Sequence, residues 1–266
     1  SAPAALFALA MAILVATTVL VFASRKYAAP APITADARAV DQQFHLTLYL
    51  AGGIFILAQL SLAFAVAKFR DRGQRARFLP GNNRLEMLWT AAAIVLFLGL
   101  GALGHKAWAA VRYTGLETGA IQVEVTGMQF QFIFRYPGGD DRFGRLDPEL
   151  ISAATSNPLG VDPSDPAGND DIIASGTLAV PVGKPVELLI RSQDVIHNLF
   201  VRELRLQQDA VPGMVIPIHF TADRVGKYDI VCTQLCGLGH QKMHAVLEVM
   251  SETNYENFLR QQAASQ

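Results

Sequence analysis

Val231-Cys232-Thr233-Gln234-Leu235-Cys236-Gly237-Leu238-Gly239-His240-Gln241-Lys242-Met243 gathers two thiols, an imidazole and a thioether in one short segment, and it holds both cysteines of the 266-residue chain. Soft sulfur ligands together with imidazole select copper among the first-row metals, whereas zinc and iron–sulfur sites take more cysteines and no methionine. A mononuclear blue-copper site uses one cysteine, two histidines and a weak axial methionine, so this segment carries one thiol in excess. Two thiolates on one loop can instead bridge two copper ions, each of which then needs one imidazole and one weak ligand. The second imidazole has to come from elsewhere. His197, in Ser192-Gln193-Asp194-Val195-Ile196-His197, is the natural supplier, since it follows strand-like runs and the turn residue Asp194.

Simpler readings compete with this one. Two cysteines in an exported domain are most often a disulfide. Met243 alone reads as a core residue, and His197 alone as a structural histidine. The joint occurrence of all of them at fixed offsets favours the metal. His219 and His244 fit no position of the pattern and are assigned no metal role.

Cys232-x-Gln234-x-Cys236-Gly237-x-x-His240-x-x-Met243, preceded by Asp194-Val195-x-His197 and Asp209-Ala210-Val211-Pro212-Gly213, resembles the binuclear copper A domain of subunit II of haem-copper oxidases. The resemblance implies that Cys232 and Cys236 are bridging thiolates. It implies that His197 and Met243 complete one copper, and His240 with the Gln234 carbonyl the other, with Asp194 and Asp209 just behind these ligands. It also implies a cupredoxin-like Greek-key sandwich, with the copper loop joining the last two strands. Both coppers are then fully ligated, so the site passes electrons and catalyses no bond change. No Cys-x-x-Cys-His is present, so any haem belongs to a partner, the catalytic subunit I.

Two departures from the family pattern matter. Phe130 stands where the family usually places a tryptophan through which electrons arrive. That removes an indole N–H and alters the surface offered to cytochrome c or a similar periplasmic donor. Gln234 stands where mitochondrial-type members have a glutamate that binds interfacial magnesium; glutamine keeps the carbonyl but loses the charge, so magnesium is expected to be weak or absent. Gln234 resembles the ba-type oxidases and their nitric oxide-reducing relatives, whereas Asp209–Gly213 and Leu85-Glu86 lean towards the mitochondrial type. The leading expectation is an oxygen-reducing oxidase subunit, with a nitric oxide reductase subunit as the alternative and a membrane-tethered copper carrier as a third.

Over the whole chain half the residues are hydrophobic and 17% are charged, which suits a membrane part joined to one packed domain. The net charge of −1, with no basic stripe, argues against nucleic acid as partner. Ala4–Ala23 is uncharged and long enough to span a bilayer, and it lacks the basic start of a signal peptide, so it reads as a retained extra helix over residues 1–27. A Pro/Ala-rich linker occupies 28–43, because Pro30 and Pro32 disfavour helix.

A transmembrane hairpin follows over 44–112, with spans at Phe44–Phe69 and Leu85–Val111. Lys68, Arg70, Arg72, Arg75, Arg77 and Arg84 fall between them. The positive-inside rule puts that loop in the cytoplasm and the copper domain on the periplasmic face of the inner membrane, although Arg25 and Lys26 run against it. Glu86 resembles the family's glutamate at the mouth of a proton path; simple interfacial solvation is the equal alternative. His105, deeper in the span, reads as facing a neighbouring subunit or snorkelling outward with Lys106.

The copper domain is expected over 119–250. Ile121–Val125 alternates as a half-buried strand and runs into an aromatic stretch in which Phe132 reads as core. Residues 137–171 are rich in Pro, Gly, Asp and Ser and read as a surface excursion. Its acids, Asp140, Asp141, Asp147, Asp162, Asp165, Asp170 and Asp171, are available to steer a basic donor or merely to solvate the loop. Further strands are expected at Thr177–Val182, Val186–Ser192, Met214–Ala222, Gly226–Val231 and Ala245–Val249. The tail, 251–266, reads as a short helix capped by Ser251.

Overall fold

The computed structural model describes every residue except 1, 25–27, 72, 74, 76, 77, 79, 113–118 and 153. Arg25, Lys26, Arg72 and Arg77 therefore lie outside the described residues. The chain divides into two compact units, one of 1–29 with 40–108 and one of 30–39 with 109–266.

The first unit is built from α1 (Ala2–Ala23) and most of α2 (Ala35–Lys68) and α3 (Asn83–Arg112). All three are long and apolar enough to cross a membrane. Their large side chains, Phe22, Leu57, Val95, Phe97 and Leu98 among them, point outward, as expected where lipid replaces water as the solvent. Between α2 and α3, Gln43 Nε2 donates to the Leu100 carbonyl at 3.4 Å. Asn82 caps α3, its Oδ1 accepting from Arg84 N and Leu85 N at 3.1 and 3.3 Å, and Glu86 sits in the first turn, where negative charge suits the helix dipole.

The linker is shorter than its prolines suggest, since α2 begins at Ala35 rather than at Phe44. Thr34 supplies the cap, its Oγ1 accepting from Ala37 N at 2.9 Å. Pro30–Thr34 lies against the β domain as an extended clip. Ile33 is buried, its N–H donates to the Glu203 carbonyl (3.1 Å) and its own carbonyl accepts from Asp223 N (2.9 Å). Arg205 Nη2 holds the Pro30 carbonyl at 2.6 Å, and Arg38 pairs with Asp223.

The second unit is a Greek-key sandwich of two five-stranded sheets. The strands are β1 (Ile121–Met128), β2 (Gln131–Tyr136), β3 (Ile172–Ser175), β4 (Thr177–Pro181), β5 (Pro185–Ser192), β6 (His197–Val201), β7 (Leu206–Ala210), β8 (Ile216–Thr221), β9 (Gly226–Cys232) and β10 (His244–Met250). One sheet runs β3-β2-β1-β5-β8 and the other β4-β10-β9-β6-β7; β1–β5 and β4–β10 are parallel pairs and the rest antiparallel. Inward residues of both sheets, including Val123, Val125, Phe132, Phe134, Leu188, Ile190, Leu199, Ile230 and Leu247, form one buried core. Each such side chain contributes about 1.5–3 kcal/mol by leaving water. Phe132 is wholly buried, as expected of it. α4 (Glu252–Ala264) closes the sheet end, with Ser251 Oγ accepting from Asn254 N.

Three strands, β3, β6 and β7, stand where none was expected. The polar side of β1 also differs from the half-buried reading, because Glu124 is buried rather than solvated. Arg135, opposite it on β2, donates to Glu124 Oε2 from both Nε (2.6 Å) and Nη2, and its Nη1 donates to Asp171 Oδ2 (2.9 Å) and the Gly144 carbonyl (2.8 Å). This ion cluster fastens the 137–171 excursion to the sheet. Within the excursion Pro148–Leu150 and Pro166–Gly168 are short 3-10 turns capped by Asp147 and Asp165.

Candidate metal centre

The loop from Thr233 to Met243 joins β9 to β10 at one end of the sandwich, as expected. Cys232 N donates to the Met243 carbonyl at 3.2 Å, which closes the loop at its base, and a 3-10 turn over His240–Lys242 aims His240 back inside. The pairing of β6 with β9, Leu199 opposite Cys232, brings His197 beside the thiols. Gly127 on β1 leaves the space that the His197 ring fills, since a Cβ there would lie 3.1 Å from the ring.

The sulfur and nitrogen atoms converge. His197, Cys232 and Cys236 each offer a ligand atom within 4.8 Å of the others, and all three residues are buried. Cys232 Sγ lies 3.9 Å from Cys236 Sγ, and both thiols are free, so the disulfide reading fails. His240 Nδ1 is 3.6 Å and Met243 Sδ 3.8 Å from Cys236 Sγ, and the Gln234 carbonyl oxygen is 3.2 Å from Cys232 Sγ. The sequence-derived set of six is thus brought together in one place.

His197 carries the clearest sign of what the cluster is for. Its Nε2 donates to Asp194 Oδ1 at 2.7 Å, which leaves the lone pair on Nδ1; Nδ1 is buried and has no hydrogen-bond partner. An orphaned imidazole nitrogen in a dry site is costly unless a metal takes it. Burial, with the neighbouring Cys232, pushes the Cys236 thiol up to about 11. A cation is what converts such a thiol into a thiolate at neutral pH. Two thiols, two imidazoles, a thioether and a carbonyl are a soft donor set that fits copper.

Around the cluster the structure places Asp194, Asp209 and Phe130, which the sequence reading singled out, and adds Asn198 and Thr233, which it did not. Asp194 is exposed, and burial raises its carboxyl less than hydrogen bonds from His197, Gln129 N and Val195 N lower it, so it stays ionised. Asp209 does not touch a donor atom of the cluster. It accepts from Asn198 Nδ2 at 2.6 Å, and Asn198 Oδ1 accepts from Thr233 Oγ1 at 2.6 Å, so Asp209 reaches the loop through Asn198. Phe130 lies partly exposed over the loop, its ring against Gly237 and Gly239. Asn198 and Thr233 sit beside His197 and Cys232 in sequence, and that adjacency was the one available signal for them. His244 Nδ1 bonds to the Lys242 carbonyl, and His219 lies on β8 in the other sheet.

A soft-metal site in a β-sandwich behind long apolar helices defines a membrane-anchored electron-transfer protein. Comparison with known proteins makes this specific. Residues 165–250 match the family model for cytochrome c oxidase subunit II, periplasmic domain. The alternative cytochrome c oxidase subunit 2 of Bradyrhizobium diazoefficiens is 36% identical over 233 residues, covering 87% of this chain and 83% of the relative. Cytochrome c oxidase subunit 2 of Thermostichus vulcanus is 32% identical over 261 residues, covering 88% and 78%. Among solved structures, the periplasmic domain of cytochrome oxidase subunit II from Bradyrhizobium japonicum aligns over 57% of this chain and 99% of its own, at 21% identity and a TM-score of 0.42. The chain belongs to the cytochrome c oxidase subunit 2 family, which implies a copper A centre and a complex with subunit I.

Proposed function

We propose that this chain is the electron-input subunit of an oxygen-reducing haem-copper oxidase. It takes single electrons from a periplasmic donor of the cytochrome c kind and passes them to haem in subunit I. The observation that carries the reading is the buried convergence of the two thiols, His240 Nδ1, Met243 Sδ and the unpartnered His197 Nδ1. Cys232, Cys236, His197, His240, Met243 and the Gln234 carbonyl would hold two copper ions. A bridged copper pair supplies one-electron transfer without exchange of a ligand.

The protein's own residues do the rest. Asp194 accepts the Nε2 proton of His197 and so fixes the tautomer and the ring plane. The sandwich core behind Cys232 and Met243 excludes water. Phe130, exposed over the loop, is where the donor's electron arrives. Glu86, in the first turn of α3 at the end of the hairpin that carries the basic loop, is the residue at the mouth of a proton path. Lys68, Arg70, Arg75 and Arg84 support placing that end in the cytoplasm and the copper domain in the periplasm, with the helices in lipid of the inner membrane. Glutamine at 234 supports weak or absent magnesium.

Turnover of the membrane-extracted complex tests this. With reduced cytochrome c, oxygen uptake is expected, and Cys232→Ser, which removes one of the two thiols, should abolish it together with copper binding. Nitric oxide consumption in place of oxygen uptake would overturn the oxidase assignment. Undiminished turnover in Cys232→Ser would overturn the role of the loop.

A further inference from the structure

One residue outside the ligand cluster touches both of the segments that bring the ligands together. Gln129 opens the turn between β1 and β2. Its backbone N–H donates to Asp194 Oδ2 at 2.8 Å, while the other oxygen of the same carboxylate, Oδ1, holds His197 Nε2. Its side-chain Nε2 donates to the carbonyl oxygen of Cys236 at 2.5 Å. Gln129 therefore reaches the imidazole through a carboxylate and the second thiol through that cysteine's own backbone.

The space around this contact is reserved for it. Gly237, directly after Cys236, has φ +137°, and a Cβ there would sit 2.8 Å from Gln129 Nε2. The next residue of the turn, Phe130, fills the remaining room above Gly237 and Gly239. The β1–β2 turn thus lies on the loop and is tied at two points, one on each ligand-bearing segment.

We propose that Gln129 is a positioning residue that sets the separation of the His197 imidazole and the Cys236 thiolate by bonding Asp194 with its backbone and the Cys236 carbonyl with its side chain. The inference rests on the copper reading above. Its physical content is that an electron moves fastest when the ligands barely shift between oxidation states. A brace spanning two ligand-bearing segments holds them. The backbone tie survives any substitution at 129, whereas the carboxamide tie does not, so the side chain isolates the effect. Gln129 lies at the surface, and water can satisfy the Cys236 carbonyl if the carboxamide is lost. Water does not tie the loop to the turn.

The test uses the full chain in detergent, loaded with copper, as wild type, Gln129→Met and Gln129→Glu. Methionine keeps the length and removes the N–H. Glutamate keeps the length and sets an acceptor against the carbonyl. Gln129→Met is expected to melt with the wild type and to bind two coppers, but to lose them to a chelator about tenfold more readily. Its electron spin resonance signature should change, and its potential should fall because the positive end of the carboxamide no longer faces the site. Gln129→Glu should show larger changes of the same sign. Wild-type copper retention, spectrum and potential in Gln129→Met would overturn the brace. If that variant does not fold, the same three measurements on Gln129→Glu decide it. A wild-type chain that binds no copper pair would overturn the copper reading itself, a different result from unchanged variants of a copper-loaded protein.

Discussion

The loop over 233–243 and the excursion over 137–171 are both irregular and rich in turn residues, yet they use their polar atoms in opposite ways. In the excursion nearly every acid is engaged within the protein. Asp171 pairs with Arg135, Asp147 and Asp165 cap the 3-10 turns, Asp170 accepts from Gly139 N, and Asp162 holds Ser164 and Arg145. In the loop the inward sulfur and nitrogen atoms converge on one another instead, and His197 Nδ1 beside them is buried without a partner; the excursion leaves one such atom, Asp171 Oδ1. A segment whose polar atoms satisfy one another is a structural element. One that gathers two thiols, an imidazole and a thioether at a single point is built for something that binds.

The largest effect expected from this contrast is at Arg135. Arg135→Met leaves Asp171 buried without its cation and Glu124 with Arg191 alone, at 3.3 Å, and removing one partner of a buried pair costs about 3–5 kcal/mol. Burial already raises the Asp171 carboxyl above its ordinary value, and Arg135 only partly offsets that. Thermal melts of the full chain should show the loss, and adding Glu124→Gln with Asp171→Asn should recover part of it. Hydrogen exchange should quicken across 137–171 and stay slow at Cys232 and Met243. Equal quickening in both segments would mean that they are not independent.

The sequence made the loop legible because metal ligation demands particular atoms at particular offsets, and those offsets are local. His197 was legible as a histidine beside strand-like runs and after a turn aspartate, and the family resemblance implied its place on copper. The three apolar helices and the Ser251 cap were also local signals. What stayed hidden was long-range. Nothing in Ile121–Val125 says that Glu124 faces Arg135 and Asp171 rather than water, because Asp171, at the end of the excursion just before β3, arrives by way of tertiary packing. Leu206–Ala210 is a strand despite two glutamines and an aspartate, since the edge position of β7 and its pairing with β6 override propensity. Thr34 before Ala35-Asp36 was a legible helix start, obscured by Pro30 and Pro32 just ahead of it. Gln129 was passed over because its partners, Asp194 and Cys236, lie far along the chain.

A middling effect is expected at Gly239. A Cβ there would lie 2.4 Å from Phe130 Cδ2 and 2.5 Å from Cγ, the inner atoms of the ring, so the ring has to leave its place. Gly239→Ala should cost about 1–3 kcal/mol, the usual range for overpacking, and should displace Phe130. The melt of the chain reads the first, and the rate of electron arrival from reduced cytochrome c reads the second. A variant with Phe130 displaced and an unchanged rate would remove Phe130 from the electron's route and leave the ligand cluster as it is.

The smallest effect belongs to Asp162, and its value lies in its sign. The Ser164 hydroxyl, then Arg145, then the Ser164 N–H hold the Asp162 carboxyl down at about 2, against 3.8 ordinarily. A carboxyl lower in the folded than in the unfolded chain adds stability that is fully present above the unfolded value and is lost as pH falls through the folded one. Wild type and Asp162→Asn should therefore differ in melting temperature at pH 5 and converge towards pH 2. Arg145 is exposed, so added salt should shrink the part of the difference that comes from that pair. If the two proteins melt alike across the whole range, Asp162 contributes nothing to the excursion's own structure. Its charge would then face the solvent for a donor to meet, and the excursion would resemble the open loop more than its hydrogen bonds suggest.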